Sequence, residues 1–330
     1  MKTFAFAAIA GLAAAEYQMS TEMTAFMNYI SQHAKSYENM QEFYDRFELF
    51  QQTEASIAEL NAANSRATFG HNAFSDWTHQ EYMSMMGLKY EETPELYINK
   101  DADLVSTNGD SWDWRDHAGV VTPVKDQGQC GSCWAFSATE AVESAYVIAG
   151  NEQVIMSPQE LVDCSKGLLS NHGCNGGMYY HGWKWEETHM TMRESDYPYV
   201  SGTTKEAQSS CNYDESKGVT YTTGYKQVSA DTDSIKAAIS QHGPVSVAIN
   251  AESKVFQTYT SGILTAADNC PTKIDHAVLA VGYGYEGDQG YYIVRNSWNT
   301  VWGDDGYVKI GMADGVGICG INQVVYYPTV

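Results

Sequence analysis

Gln127-Gly-Gln-Cys-Gly-Ser-Cys-Trp-Ala-Phe136 places a thiol, Cys133, where a helix is expected to begin. Ala135, Ala138, Val142, Ala145 and Ala149 follow at helical spacing, and Gly150 supplies the stop. Unpaired N–H groups and the positive end of the helix dipole then face Cys133, which lowers the cost of a thiolate. Two other readings of a Cys-x-x-Cys pair fail on the same residues. A thioredoxin-like redox motif needs a βαβ setting and its Trp ahead of the first Cys, whereas Trp134 follows the second. A zinc knuckle needs a second pair at matching spacing, and the other cysteines are scattered singly.

The chain has 330 residues, 43% of them hydrophobic, so it can bury a sizeable core, and its length favours two folding units. A formal net charge of −22 argues against nucleic acid or an anionic membrane surface as partner. Met1 to Ala15 reads as a secretory signal, with Lys2 at the start, an apolar run from Phe4 to Leu12 and Ala13-Ala-Ala15 as cleavage site. That run is too short to span a membrane. Seven cysteines fit the oxidising route a signal implies: six can pair, every pairing of the six being open to sequence alone, and one is left over. No Asn-x-Ser/Thr acceptor site is present.

Cys130-Gly-Ser-Cys-Trp134 is similar to the signature of the papain and cathepsin cysteine peptidases, and the chain as a whole resembles a cathepsin L-type precursor. The resemblance implies disulfides Cys130 to Cys174, Cys164 to Cys211 and Cys270 to Cys319, with Cys133 as the free nucleophile. A thiolate needs a base beside it. Among nine histidines His276 fits best, lying on an alternating strand 143 residues after Cys133. His242 is the rival, but it ends a helix, where it complements the dipole. Asn296, in Val294-Arg-Asn-Ser-Trp298, would orient the imidazole by accepting its ring N–H, and Trp298 would shield that bond. Gln127 matches the side-chain donor of the family's oxyanion hole, with the N–H of Cys133 as second donor. Gly177, in Gly173-Cys-Asn-Gly-Gly177, matches the residue whose backbone pairs with extended substrate. The family's main specificity pocket maps onto Val324 as floor with Met178, Ala248, Ile274 and Ala277 as walls, every one apolar, and Asp275 and Trp298 are further expected substrate-binding residues. Asn299 stands where the family usually has Gly, and Asn tolerates the left-handed backbone next best.

The region ahead of this domain carries two helices, Thr21 to Ala34 and about Asn39 to Ala63. In the second, Glu42, Arg46, Phe50, Thr53, Ile57 and Asn61 form one stripe. That stripe, with Gly70-His-Asn72-Ala-Phe74-Ser-Asp76, resembles the inhibitory prodomain of cathepsin L-like enzymes, one Asn being replaced by Thr53. Lys89 to Asp110 reads as a cleavable connector. The expected organisation is a signal at 1–15, an inhibitory propeptide at 16–107 and a mature peptidase domain at 108–330. Residues 1–107 hold six basic and fifteen acidic side chains and the rest thirteen and twenty-six, so both parts are acidic. Bulk attraction therefore cannot hold the propeptide down. Apolar faces around Phe50, Ile57 and Phe74 are expected to do so, with acid-sensitive bonds at Asp76 and between Glu42 and Arg46.

In the domain itself, Ser157-Pro-Gln-Glu160 reads as an N-cap with a capping-box Glu, and Asp231 to His242 as a short helix. Alternating strands follow at 245–249, 277–281, 291–294 and 306–310. A helical half and an antiparallel, barrel-like β half give an α+β, papain-like two-lobed fold behind a helical prodomain, with the site in the cleft between lobes. The expected function is a cysteine endopeptidase made as a secreted zymogen and acting through a thioester on Cys133. The alternatives are an exopeptidase or transpeptidase on the same fold, or a silent disulfide-stapled binding protein; intact Cys133, Gln127, His276 and Asn296 argue against the last. No cofactor and no metal are implied. The expected partners are polypeptide substrates, the chain's own propeptide and cystatin-type inhibitors, with no nucleic acid and no membrane, on a monomer in a lysosome-like acidic vacuole or outside the cell.

Overall fold

A computed structural model describes residues 20–63, 65–90, 104, 111–167 and 171–330. The signal at 1–15, most of the connector and the boundary at 107/108 lie outside the described residues.

The N-terminal region begins with α1 (Thr21–Gln32), capped by the Ser20 hydroxyl, and α2 (Met40–Ala62), capped by Asn39. They cross on an aromatic cluster of Phe26, Tyr29 and Phe50. Phe50 therefore belongs to this region's own core, which corrects its expected place on the face toward the catalytic domain. Ile57 and Phe74 do reach across, into the large cluster that includes Phe256 and Trp298. A short strand, β1 (Ala67–Phe69), then a one-turn helix, α3 (His79–Met83), complete the region.

In the following domain β2 (Trp112–Asp113) precedes the central helix α4 (Cys133–Ile148), which starts at Cys133 as its spacing requires. Every side chain from Cys133 to Ser144 is buried, and the alanines at 135, 138 and 141 let neighbours approach closely. α5 (Pro158–Cys164), α6 (Tyr179–Glu186), β3 (Thr191–Met192), α7 (Ser201–Thr204) and β4 (Gly218–Thr220) build the helical lobe around it. Ser157 caps α5 as expected, but the box is not completed: the Glu160 carboxylate turns instead to the N–H of Met192 at 2.6 Å, and burial raises it to about 9.

The second lobe follows with β5 (Gly224–Gln227), α8 (Thr232–His242), β6 (Val245–Ile249), α9 (Lys254–Gln257), β7 (Tyr259–Leu264), β8 (His276–Glu286), β9 (Gln289–Arg295), β10 (Tyr307–Gly311) and β11 (Val325–Thr329). The strands join in the order β1-β7-β10-β9-β8-β6-β11-β5, with β2 on β8. Two features depart from the expected antiparallel barrel: β7 and β10 pair in parallel, and β1 of the N-terminal region adds an edge strand, Thr68 opposite Ser261. Gly287 and Asp288 turn the β8–β9 hairpin. The three expected disulfides are present, and among the described residues Cys133 is the free cysteine.

Candidate active site

Cys133 at the start of α4 meets the first residues of β8 at the join between lobes, and its sulfur accepts the N–H of Ala277 at 3.4 Å. His276, one residue earlier, is fully buried. Its Nε2 lies 2.8 Å from Asn296 Oδ1, which also accepts the N–H of Ser297 at 2.8 Å. An oxygen already accepting an amide N–H can only accept, so Nε2 carries the hydrogen and Nδ1 keeps its lone pair. Nδ1 has no hydrogen-bond partner among the described residues, which leaves it available as a base. Trp298 lies against the imidazole with ring centroids 4.8 Å apart. Asn296 is held by the end of β9, where the buried Arg295 pairs with Glu140 at 3.0 Å and donates to the Thr122 carbonyl at 2.6 Å.

Gln127 is equally buried and fixed from both ends. Its Oε1 accepts Ser297 Oγ at 2.8 Å and Trp298 Nε1 at 3.2 Å, so its amide nitrogen faces the cleft. That nitrogen donates to the carbonyls of Cys130 and Met85, each at 2.8 Å. Met85 belongs to the N-terminal region, whose next residues run through the cleft as an extended chain. The N–H of Gly177 donates to Gly87 and that of Lys89 to Gly177, at 2.8 and 2.9 Å, a parallel pairing of Leu88 with Gly177. The N–H of Leu88 donates to the Asp275 carbonyl at 3.1 Å, so Asp275 meets this chain through its backbone while its carboxylate bonds Asn250 and the N–H of Ala251. Leu88 joins the apolar cluster of Met178, Ala248, Ala277 and Val324, with Ile274 packed against it. Met178, Ala248, Ile274, Ala277 and Val324 thus share one apolar cluster. Asn299 holds φ 60°, the left-handed backbone its position demands. His242 ends α8 stacked on Tyr327. Among the described residues no group of three or more His, Cys, Asp or Glu side chains could hold a metal ion.

Burial shifts both groups. It pushes the Cys133 thiol up to about 11, against the pull of N–H groups on Ala277, Gly87 and Trp134. It likewise pushes His276 down to about 4, opposed by the Asn296 bond. The helix start alone was expected to favour a thiolate; burial acts in the opposite direction, favouring the neutral form of each group.

Glu81 and Gly87 were not legible as site residues. Glu81 forms a two-pronged pair with Arg46, 2.5 and 2.7 Å, while Glu42 stands at 3.5 Å from the same Arg. The capping box Thr78-His-Gln-Glu81 was the available signal for the helix that carries it. Asp76 is buried and accepts from Tyr29, Lys35 and Tyr37 at 2.7 to 2.8 Å. Arg46 reaches only the backbone carbonyl of Asp76, at 3.0 Å.

Comparison with known proteins shows the family. Residues 108–329 match the papain family cysteine protease domain, and residues 26–82 match the cathepsin propeptide inhibitor domain (I29). A cathepsin L-like proteinase of Phaedon cochleariae is 38% identical over 301 residues, covering 90% of each chain. Digestive cysteine proteinase 3 of Homarus americanus is 37% identical over 320 residues, 94% of this chain and 96% of its own. Among solved structures, digestive procathepsin L2 proteinase from Tenebrio molitor larval midgut superposes with a TM-score of 0.83 at 33% identity, covering 94% of this chain and 100% of that one. The recombinant stem bromelain precursor gives 0.81 at 31% identity, covering 94% and 99%.

Proposed function

Because the chain belongs to the papain family of cysteine proteases and carries that family's propeptide inhibitor domain, we propose that Cys133, His276, Asn296 and Gln127 perform its peptide hydrolysis. With the propeptide withdrawn, water reaches both buried groups, the thiol falls from about 11 and the imidazole rises from about 4, and the proton passes from Cys133 to His276 Nδ1. The thiolate attacks the peptide carbonyl carbon. The oxygen gains the negative charge and is met by Gln127 Nε2, whose present partner Met85 O is a carbonyl oxygen already seated there, and by the N–H of Cys133. The imidazolium then protonates the leaving amine, giving a thioester. Neutral His276 next takes a proton from water, which attacks the thioester and regenerates the thiol. Asn296 holds the ring so that Nδ1 faces the sulfur throughout. The observation that carries this reading is the His276 to Asn296 bond with the Cys133 sulfur against Ala277.

The enzyme acts as an endopeptidase whose main pocket is apolar, floored by Val324 and walled by Met178, Ala248, Ile274 and Ala277. Leu88 in that cluster supports a preference for Leu, Val or Phe at the substrate residue that precedes the one whose carbonyl is attacked. A large side chain gains about 1.5–3 kcal/mol there, while a buried unpaired charge is penalised heavily. Matched peptides differing only in Leu or Arg at that position test it. Leu is expected to give a kcat/KM at least about tenfold higher, and equal or faster cleavage of the peptide with Arg at that position would defeat the pocket assignment. The same reading includes a signal at 1–15, a propeptide ending near 107 and a monomeric mature enzyme at 108–330. It travels the secretory pathway to an acidic vacuole or outside the cell and is open to cystatin-type inhibitors.

A further inference from the structure

Tyr199 stands apart from the groups described above, in the segment between β4's partner β3 and helix α7. Its ring packs edge-on against Phe136 of α4, centroids 4.8 Å apart, and its own N–H is anchored on Glu194 Oε1 at 2.8 Å. The phenol oxygen lies 2.8 Å from the backbone carbonyl of Gln127 and 2.7 Å from Ser132 Oγ. A carbonyl oxygen only accepts, so the single phenolic hydrogen goes to Gln127. The serine hydroxyl therefore donates to the tyrosine oxygen.

Gln127 and Ser132 are the two ends of the loop that delivers both oxyanion donors, the Gln127 amide nitrogen and the N–H of Cys133. One oxygen atom thus ties the ends together. Ser132 also forgoes its ordinary task. It is the N-cap residue of α4, where a serine side chain usually accepts a helix N–H, a bond worth about 1 kcal/mol, yet it makes no such bond. Its hydroxyl is turned to Tyr199 instead.

We propose that Tyr199 is a positioning residue for the oxyanion site, its hydroxyl clamping the Gln127–Ser132 loop so that the two donors converge on one point. This rests on the reading of Gln127 as an oxyanion donor. A donor displaced by a fraction of an ångström still binds substrate, but stabilises less of the charge that develops in the transition state.

The test is Tyr199→Phe in the processed enzyme, which keeps the ring on Phe136 and removes the clamp. Turnover is expected to fall about tenfold, less than the hundred- to thousandfold cost of removing a donor outright, with KM unchanged within about twofold. The inhibition constant of a peptide aldehyde, whose adduct with Cys133 places an oxygen at the same point, should rise by the same factor. Alkylation of Cys133 by iodoacetamide displaces iodide at a tetrahedral carbon and generates no oxyanion, so its rate should not change. An unchanged kcat, or an alkylation rate that falls as far as kcat does, overturns the proposal. Gln127→Ala run in parallel separates the levels: if it leaves kcat intact, the oxyanion reading and the clamp both fail, whereas a lowered kcat there with an unaltered Tyr199→Phe defeats the clamp alone. Should Tyr199→Phe give no processed enzyme, Ser132→Ala removes one arm. It is expected to lower kcat about threefold with alkylation intact, and an unchanged kcat again overturns the clamp.

Discussion

Residues 85–89 of the propeptide lie in the cleft on backbone hydrogen bonds to Gly177, Asp275 and Gln127, whereas the globule before them, residues 20–82, is braced by side chains that titrate. No charged side chain is needed for the first attachment, so acid leaves it alone. The second is different. Arg46 holds the Glu81 carboxyl down at about 2. Its stabilisation is complete above the ordinary value of 4.5 and fades as pH falls from there toward about 2. His33, whose ring lies tilted against Tyr29, is lowered from 6.5 first by burial and then by Lys35. The folded globule prefers it neutral, so its contribution is full above 6.5 and is lost below as the loosened chain takes up the proton. Cleft contacts and acid-sensitive groups thus sit in different parts of this N-terminal region, and acid is expected to act on the globule first.

The sharpest way to break this division is at Gly87. A Cβ built there would stand 1.9 Å from the Gly131 carbonyl oxygen, a backbone atom that cannot give way. Gly87→Ala should expel the cleft segment while the globule stays folded. Overpacking on this scale costs about 1–3 kcal/mol or more, so inhibition of the mature enzyme by the variant propeptide should weaken by about ten- to a hundredfold, at every pH. If the loss appeared only in acid, the cleft attachment would not be independent of titration. Glu81→Gln should have a smaller effect of the opposite character. A part-exposed charged pair is worth about 1 kcal/mol after screening, so self-processing of the zymogen near pH 6 should quicken about fivefold. Its remaining pH dependence below 4.5 should flatten. A variant that processes with the parent's rate and pH profile would remove Glu81 from the acid response.

What could be read from the sequence was what local pattern fixes. Cys133 at a helix start, His276 on an alternating strand and Asn296 before Trp298 each sit where short-range spacing places them, and Asn299 adopted the left-handed backbone expected of it. What escaped depends on distant partners. Arg46 finds Glu81 35 positions away, β1 adds to an edge strand nearly two hundred residues on, and β7 joins β10 in parallel. No periodicity encodes such pairings. The direction of the Cys133 shift escaped for the same reason, since the helix dipole is local whereas burial is set by the tertiary fold. Glu160 likewise left its capping box for a strand N–H that only the tertiary fold supplies.

The central claim is that the propeptide silences the enzyme by keeping Cys133 and His276 buried and neutral. The direct measurement is the rate of Cys133 alkylation by iodoacetamide at pH 7, in zymogen of verified intact mass and in the processed enzyme. With the thiol raised from 9.0 to about 11 in the covered site, zymogen should react at least about a hundredfold more slowly, and its rate should climb only toward alkaline pH. The processed enzyme should keep its reactivity into mild acid. A zymogen that alkylates at the processed enzyme's rate, with the same acid limb, would contradict the claim.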